Sequence, residues 1–288
     1  MNQRRVDSPA SIDLQQPLTD ITFAIFDVET TGLDPAYGHR ICEVGCLRVR
    51  NGVELERFES LVDPGRAISP GAARVNRITA EMLRDALSFA QIAGPLLAVI
   101  QGAVLVAHNA PFDLCFLAAE LEIAHLPVPD NPVVDTLALT RRAYRLPRNN
   151  LAAVVAALGV QVAPTHRALS DARATWGVLE QILRDLARRR GITTLGQLVE
   201  FQGGPIVYPR AQALSSLSLP PIIAEALDNG GRVRMRYRDA QGRETERLVR
   251  PLRVSERRGV LYLVAHCYRR DDQRTFRLDR IVEMTLEA

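Results

Sequence analysis

Apolar and polar positions alternate with a period of two in three successive stretches near the start of the chain, FAIFDVET, ICEVGCLRVR and GVELERFESLVDP. That period sends neighbouring side chains to opposite faces of a pleated ribbon, and Gly, Pro and Asp turn signals separate the stretches, so they predict three consecutive strands. The spacing then lengthens to three and four in TAEMLRDA and SFAQIAGPLLAVIQ, which predicts helices with Thr79 and Ser88 as N-caps. VLVAHNA follows as a continuous apolar run, the pattern of a buried strand. Four more helical stretches come next: FDLCFLAAELEI, DTLALTRRAY, NLAAVVAALG and ALSDARATWGVLEQILRDLARRR, with Gly159 and Gly191 as C-terminal stops. A sheet laid down first and covered later by helices is an α/β arrangement.

Two segments lack such patterning. Residues 1–19 are polar and offer too little apolar surface to offset the entropy of ordering, so they are expected to be mobile. Residues 203–221 mix Gly, Pro and Ser without a period, and the whole of 191–218 is expected as a linker. Beyond it, PIIAEALDNG predicts a short helix, while VRMRYRD, ETERLVRPLRV, VLYLVAHCYR and TFRLDRIVEMTL predict strands of a small barrel or strongly bent sheet over residues 219–288.

Composition adds bounds. At 288 residues, 47% hydrophobic and 24% charged, the chain has room for two globular domains. All 36 basic residues are Arg; residues 210–288 hold 16 of them against 11 acids, a net of +5, whereas residues 1–209 carry a net of −2. A basic domain following an acidic one suits a polyanionic substrate. Cys42, Cys46, Cys115 and Cys267 lack the spacing of a disulfide framework and read as small core residues. No apolar run reaches membrane-spanning length and the first residues contain no apolar leader, so a soluble, cytoplasmic protein without membrane association is expected.

Within this frame four carboxylates and one imidazole stand out: Asp27 and Glu29 in FDVETTG, Asp113 in HNAPFD, and His166 and Asp171 in HRALSD. Each carboxylate adjoins an apolar run, where an uncompensated charge is costly unless a cation offsets it. Asp27 and Glu29, two apart on one strand, point to the same face. Oxygen donors favour Mg2+ or Mn2+ over zinc, and two such ions would clamp the attacking and leaving oxygens of a phosphodiester. His166, just ahead of the last long helix, is placed to take a proton from the attacking water near neutral pH. His108, Asp135 and Trp176 read instead as a structural hydrogen-bonder, a helix N-cap and a core residue.

In this order, DVETTG, IxExG over residues 41–45, HNAPFD and HRALSDA resemble the DnaQ-like DEDDh 3′ to 5′ exonucleases, a family that includes the proofreading subunit of bacterial DNA polymerase III. The resemblance covers roughly residues 20–190 and implies a ribonuclease H-like fold, a mixed central sheet flanked by helices. It makes Asp27, Glu29, Asp113 and Asp171 the ligands of two metal ions and His166 the general base. It further implies that Thr30, Thr31, Gly32 and Leu33 touch the terminal nucleotide, with Phe112 flanking the same pocket. Asn76, Arg77, Ile78 and Thr79 stand where the family often has His-Gly-Ile-Thr, a departure at the rim of the substrate site. A clamp-binding peptide is not evident, which argues against a dedicated replicative role.

In the last domain Arg and aromatic residues alternate, giving Tyr262, His266, Tyr268, Arg269, Phe276, Arg277 and Arg280 as candidates to stack on bases and hold phosphate. A small β domain with core aromatics and solvated Arg residues explains the same pattern. Tyr237, the Arg250-Pro251 pair, the LYLVA strand and RTFRLDRI resemble a WYL domain, which implies an Sm-like β fold; Leu261 stands where the naming Trp would be. The expectation is a metal-dependent 3′ to 5′ exonuclease on single-stranded DNA, in repair or defence, whose WYL-like domain binds the strand or senses a nucleotide signal. An RNA exonuclease, and a nucleic-acid-sensing regulator whose nuclease domain only binds, remain open, as does assembly into a homodimer.

Overall fold

The computed structural model describes residues 12–32, 34–35, 38–208, 220–257 and 260–287. They fall into two compact units, one within 1–29, 41–66 and 80–209 and the other within 30–40, 67–79 and 210–288.

The first unit is built on a six-stranded mixed sheet. Its strands are β1 (Thr22–Thr30), β2 (Ile41–Arg50), β3 (Val53–Asp63), β4 (Leu87–Ser88), β5 (Val104–Ala107) and β6 (Val133–Asp135), in the order β4-β3-β2-β1-β5-β6. The hairpin β2–β3 is antiparallel, while β5 pairs in parallel with both β1 and β6. A short helix, α1 (Pro70–Asn76), belongs to the second unit; α2 (Phe89–Ile100), α3 (Ala110–Ile123), α4 (Thr136–Ala143), α5 (Leu151–Leu158), α6 (Ala168–Arg190) and α7 (Leu195–Gln202) belong to the first.

The period of two along β1 divides the core. Phe23 and Ile25 join Leu47 and Val49 of β2 in a cluster under α5, α6 and α7, whereas Ala24, Phe26 and Val28 join the cluster formed with α2 and α3. Helix α6 contributes buried Leu169, Val178, Leu179, Ile182 and Leu186, each stabilising by about 1.5–3 kcal/mol against exposure. Gly191 ends it at φ 65, in the left-handed region where glycine carries no Cβ penalty.

The structure departs from expectation at several points. TAEMLRDA forms turns over residues 80–85: only Leu83 of its side chains is buried, too little to hold a helix, and the helix begins after Ser88, where Gln91 completes a capping box. Helix α1, not anticipated, follows a Ser-Pro start in which Ser69 accepts from Ala72 N at 3.3 Å. Within the expected linker, α7 is capped by Thr194, and buried Gln202 spans to β6, donating to Val133 O (2.9 Å) and accepting from Asp135 N (3.0 Å). Ile206 and Tyr208 continue onto the second core cluster; residues 209–218 of that linker lie outside the described residues. Residues 12–19, expected to be mobile, are tied to 193–196 by Leu18 N to Thr193 O, Leu195 N to Gln16 O and Gly196 N to Leu14 O (2.8, 3.2 and 2.7 Å), and Ile12 and Leu18 pack on the core. Residues 1–11 lie outside the described residues.

The second unit contains α8 (Pro221–Asn229) and a five-stranded antiparallel sheet of β7 (Arg232–Arg238), β8 (Glu244–Arg257), β9 (Val260–Cys267), β10 (Asp272–Arg277) and β11 (Ile281–Glu287), ordered β10-β9-β8-β7-β11. TFRLDRIVEMTL, expected as one strand, is broken by a 3-10 turn at Leu278–Arg280 into β10 and β11 at opposite ends of that order. Tyr237 on β7 and Phe276 on β10 meet edge-on with ring centroids 5.1 Å apart, although two strands separate them in the sheet, so the sheet is strongly bent. Among the described residues, no helix is long and apolar enough to cross a membrane.

Candidate active site

Asp27 and Glu29 share the β1 face of Phe23 and Ile25, the face that α6 covers. Asp171 lies in the first turn of α6, buried, and its Oδ1 accepts from Thr165 N (2.8 Å) and His166 N (3.2 Å). His166 takes φ 58, which swings its exposed imidazole back toward the strand. Donor atoms of Glu29, His166 and Asp171 consequently lie within 4.8 Å of one another. Asp113 arrives from the first turn of α3, 4% exposed, and its Oδ1 accepts from Val28 N at 3.2 Å, beside Asp27.

The electrostatics are those of crowded, buried carboxylates. Burial, then repulsion from Asp113, Glu29, Asp171 and Glu43, holds the Asp27 carboxyl well above its ordinary range. Asp113 is raised well above it, chiefly by burial and against the hydrogen bond from Val28, and Asp171 is raised by burial against the hydrogen bonds from Thr165 and His166. Negative charges held together at this cost are what a divalent cation relieves, so the oxygen donors of Asp27, Glu29, Asp113 and Asp171 fit a hard divalent metal ion.

The IxExG stretch proved more consequential than its reading as a motif suggested. Glu43 and Gly45 lie on the β2 face that meets the start of α6. Glu43, with its side chain 1% exposed, accepts from Arg167 Nε with both oxygens (2.9 and 3.1 Å), from Arg167 Nη2 (2.5 Å) and from Ala168 N (3.0 Å). A Cβ at Gly45 would stand 2.3 Å from backbone atoms of both Ala168 and Leu169, so only glycine lets the helix start approach this closely. The signal available in sequence was the spacing of two, which puts 43 and 45 on one face, together with the Arg in HRALSD.

Other expected positions divide. His108 bridges Thr136 Oγ1 and Asn149 O, both at 2.9 Å, and burial keeps its imidazole below the usual range; Asp135 caps α4 through Leu137 N. Trp176 packs against the core beneath α6. Phe112 is half-buried against Phe116, with ring centroids 5.1 Å apart. Thr30 and Thr31, implied as nucleotide contacts, turn their hydroxyls inward: Thr30 Oγ1 donates to Gly32 O (2.6 Å), while Thr31 Oγ1 accepts from Arg40 N (3.0 Å) and meets His39 Nδ1 (3.2 Å). Gly32 is buried against the His39 ring. The turn after β1 must satisfy its own polar groups, and these side chains do so. Leu33 lies outside the described residues.

In the second unit the seven expected residues do not form one patch. Phe276, paired with Leu263, is buried in the core, whereas Tyr262, His266 and Arg277 share the opposite face of the sheet. Arg277 is held by Asp279 (3.0 and 2.6 Å), and His266 meets Asp271 at 3.3 Å and the edge of Tyr268. The Tyr268 ring lies under Arg232, Arg269 is exposed, and Arg280 is half-buried in the 3-10 turn. Along β7, Arg234, Arg236 and Arg238 are ion-paired with Glu244, Glu246, Glu283 and Glu287. Arg250, Arg253 and Arg269 are exposed and, among the described residues, have no ion pair.

Residues 24–179 match the exonuclease family. The chain belongs to that family. Residues 220–286 match the WYL domain. The exonuclease part is 37% identical over 174 residues to a DNA polymerase III PolC-type from Halalkalibacterium halodurans, covering 60% of this chain and 12% of that protein. It is 38% identical over 190 residues to a DNA polymerase III subunit epsilon-like protein from Rhodobacter capsulatus, covering 64% and 27%. The chain thus spans only a small part of the curated relatives it matches. Exonuclease X, solved in complex with 5′ overhanging duplex DNA, superposes with a TM-score of 0.50 at 28% identity over 63% of this chain and 99% of that one. The exonuclease fold and the carboxylate cluster therefore coincide in the same residues.

Proposed function

We propose that the protein is a metal-dependent 3′ to 5′ exonuclease acting on single-stranded DNA. The observation that carries this reading is the convergence of Glu29, His166 and Asp171 on the α6 side of β1, with Asp27 on the same strand face and Asp113 reaching Val28 N from the start of α3. Two Mg2+ or Mn2+ ions held by Asp27, Glu29, Asp113 and Asp171 would supply charge for the phosphodiester oxygens. His166, exposed at the mouth of the cluster, takes the proton of the attacking water. Phe112, half-exposed beside Asp113, offers a ring against the terminal base.

DNA as the substrate is supported by the relatives, which are named as DNA polymerase III proteins, and by the DNA in the Exonuclease X complex. We assign the WYL domain to holding the strand, through Arg250, Arg253 and Arg269. Matched DNA and RNA oligomers, each labelled in turn at the 5′ and the 3′ end, test substrate and polarity together. In Mg2+ or Mn2+ the 5′-labelled DNA should shorten stepwise and the 3′ label should leave as mononucleotide from the outset. Faster loss of RNA would reassign the substrate, and release of the 5′ label first would reverse the direction.

A further inference from the structure

We propose that Glu43 and Arg167 form a positioning pair that holds the His166 imidazole at the carboxylate cluster; this rests on the reading of His166 as the general base. Glu43 cannot touch a nucleotide, because its side chain is sealed between β2 and the start of α6, 1% exposed. It acts at a point where the backbone needs holding. Arg167 is the residue before α6 and makes no capping bond to its own helix, so Glu43, from a different element, satisfies Ala168 N and takes the Arg167 fork with both oxygens. The neighbouring His166 sits at φ 58, a conformation that costs a non-glycine residue energy and persists only when its surroundings impose it.

Two anchors impose it. Asp171 fixes the N–H groups of Thr165 and His166, and Glu43 fixes the side chain of Arg167 and the N–H of Ala168, so the residue carrying the imidazole is clamped on both sides. Asp171 is itself a cluster member, which leaves the Glu43–Arg167 pair as the anchor that is not itself one of the proposed ligands. Gly45 completes the arrangement by letting β2 approach within reach. The contribution to catalysis is orientation, which is lost when the turn relaxes, even though the base is still present.

The test is a double-mutant cycle in the full chain, read as kcat and KM on a labelled DNA oligomer in Mn2+. Glu43→Gln should lower kcat by about 10–100-fold with KM changed less than about twofold, the range seen when a supporting partner of an active-site group is removed. In a His166→Ala background the same substitution should change kcat by less than about twofold, since nothing remains to be positioned. If Glu43→Gln does not fold, the pair Glu43→Met with Arg167→Met, which removes both charges and keeps the volume, enters the cycle in its place. Equal losses in both backgrounds, or a KM rise with unchanged kcat, overturn the positioning role. Should His166→Ala alone leave kcat unchanged, it is the reading of His166 that fails, a distinct outcome.

Discussion

Asp113 shows how a single residue reports on the whole cluster. Its carboxylate is buried, is raised in pKa by that burial, and is tied by one oxygen to Val28 N. Asp113→Asn can keep that hydrogen bond while removing a charge that burial and its acidic neighbours disfavour. Without metal, the variant should therefore melt at or above the parent, by up to roughly 1 kcal/mol or about 2–4 °C. Added Mn2+ should stabilise the parent and have little effect on the variant, by mass action on a site the variant no longer completes. A variant that melts well below the parent without metal, or that gains equally from Mn2+, would remove Asp113 from the ligand set.

At the scale of elements, the start of α6 against β2 is where packing and chemistry meet. A methyl at Gly45 would collide with the backbone of Ala168 and Leu169, which no side-chain rotation relieves, so Gly45→Ala should cost about 1–3 kcal/mol and lower kcat together with stability. Thermal melts and turnover measured on the same preparation check this; an unperturbed melt would mean that α6 moves freely. Helix α4 is joined to α6 by Tyr144 donating to Asp185 at 2.8 Å, which with Arg189 and Arg188 holds the Asp185 carboxyl below its ordinary range. A depressed value means stability present above the unfolded pKa near 4 and lost as pH falls through the folded one. Tyr144→Phe removes the largest cause, so the variant should be less stable at neutral pH and above, with the difference shrinking in acid as Asp185 is protonated, and its acid-unfolding midpoint should move to higher pH. An unchanged midpoint would refute the linkage.

These two contacts mark the boundary of what was legible in the sequence. Local periodicity gave β1, β2, β3 and the full extent of α6, and the spacing of two put Asp27 and Glu29 on one face, because these features depend on neighbours in the chain. Helix α7, the pairing of residues 14–18 with 193–196, the Glu43–Arg167 fork and the inward turn of the Thr30 and Thr31 hydroxyls depend on partners far along the chain or on a turn satisfying its own polar groups. The Arg and aromatic alternation of the last domain was legible as a pattern but not as a surface: it could not show that Phe276 faces inward or that Glu residues neutralise β7.

Across the whole molecule, many of the Arg residues described within 220–287 are ion-paired, so the domain's basic character rests on fewer unpaired charges among the described residues than composition suggested. Replacing Arg250, Arg253 and Arg269 by Ala should weaken binding of long oligomers and lower the salt slope by about 0.7 per lost phosphate contact, leaving dinucleotide hydrolysis intact. Arg234→Ala should do neither, because Glu246 and Glu287 already hold that guanidinium. Similar behaviour of the two variants across a salt series would leave the domain as a sensor rather than a grip. The account as a whole stands on the carboxylate cluster being a nuclease centre. The most direct measurement is digestion of 5′-labelled single-stranded DNA in Mn2+ by the parent and by Asp27→Ala purified side by side. The parent should produce a stepwise ladder shortening from the 3′ end and Asp27→Ala none; a ladder of equal rate from both proteins, or none from either, would contradict it.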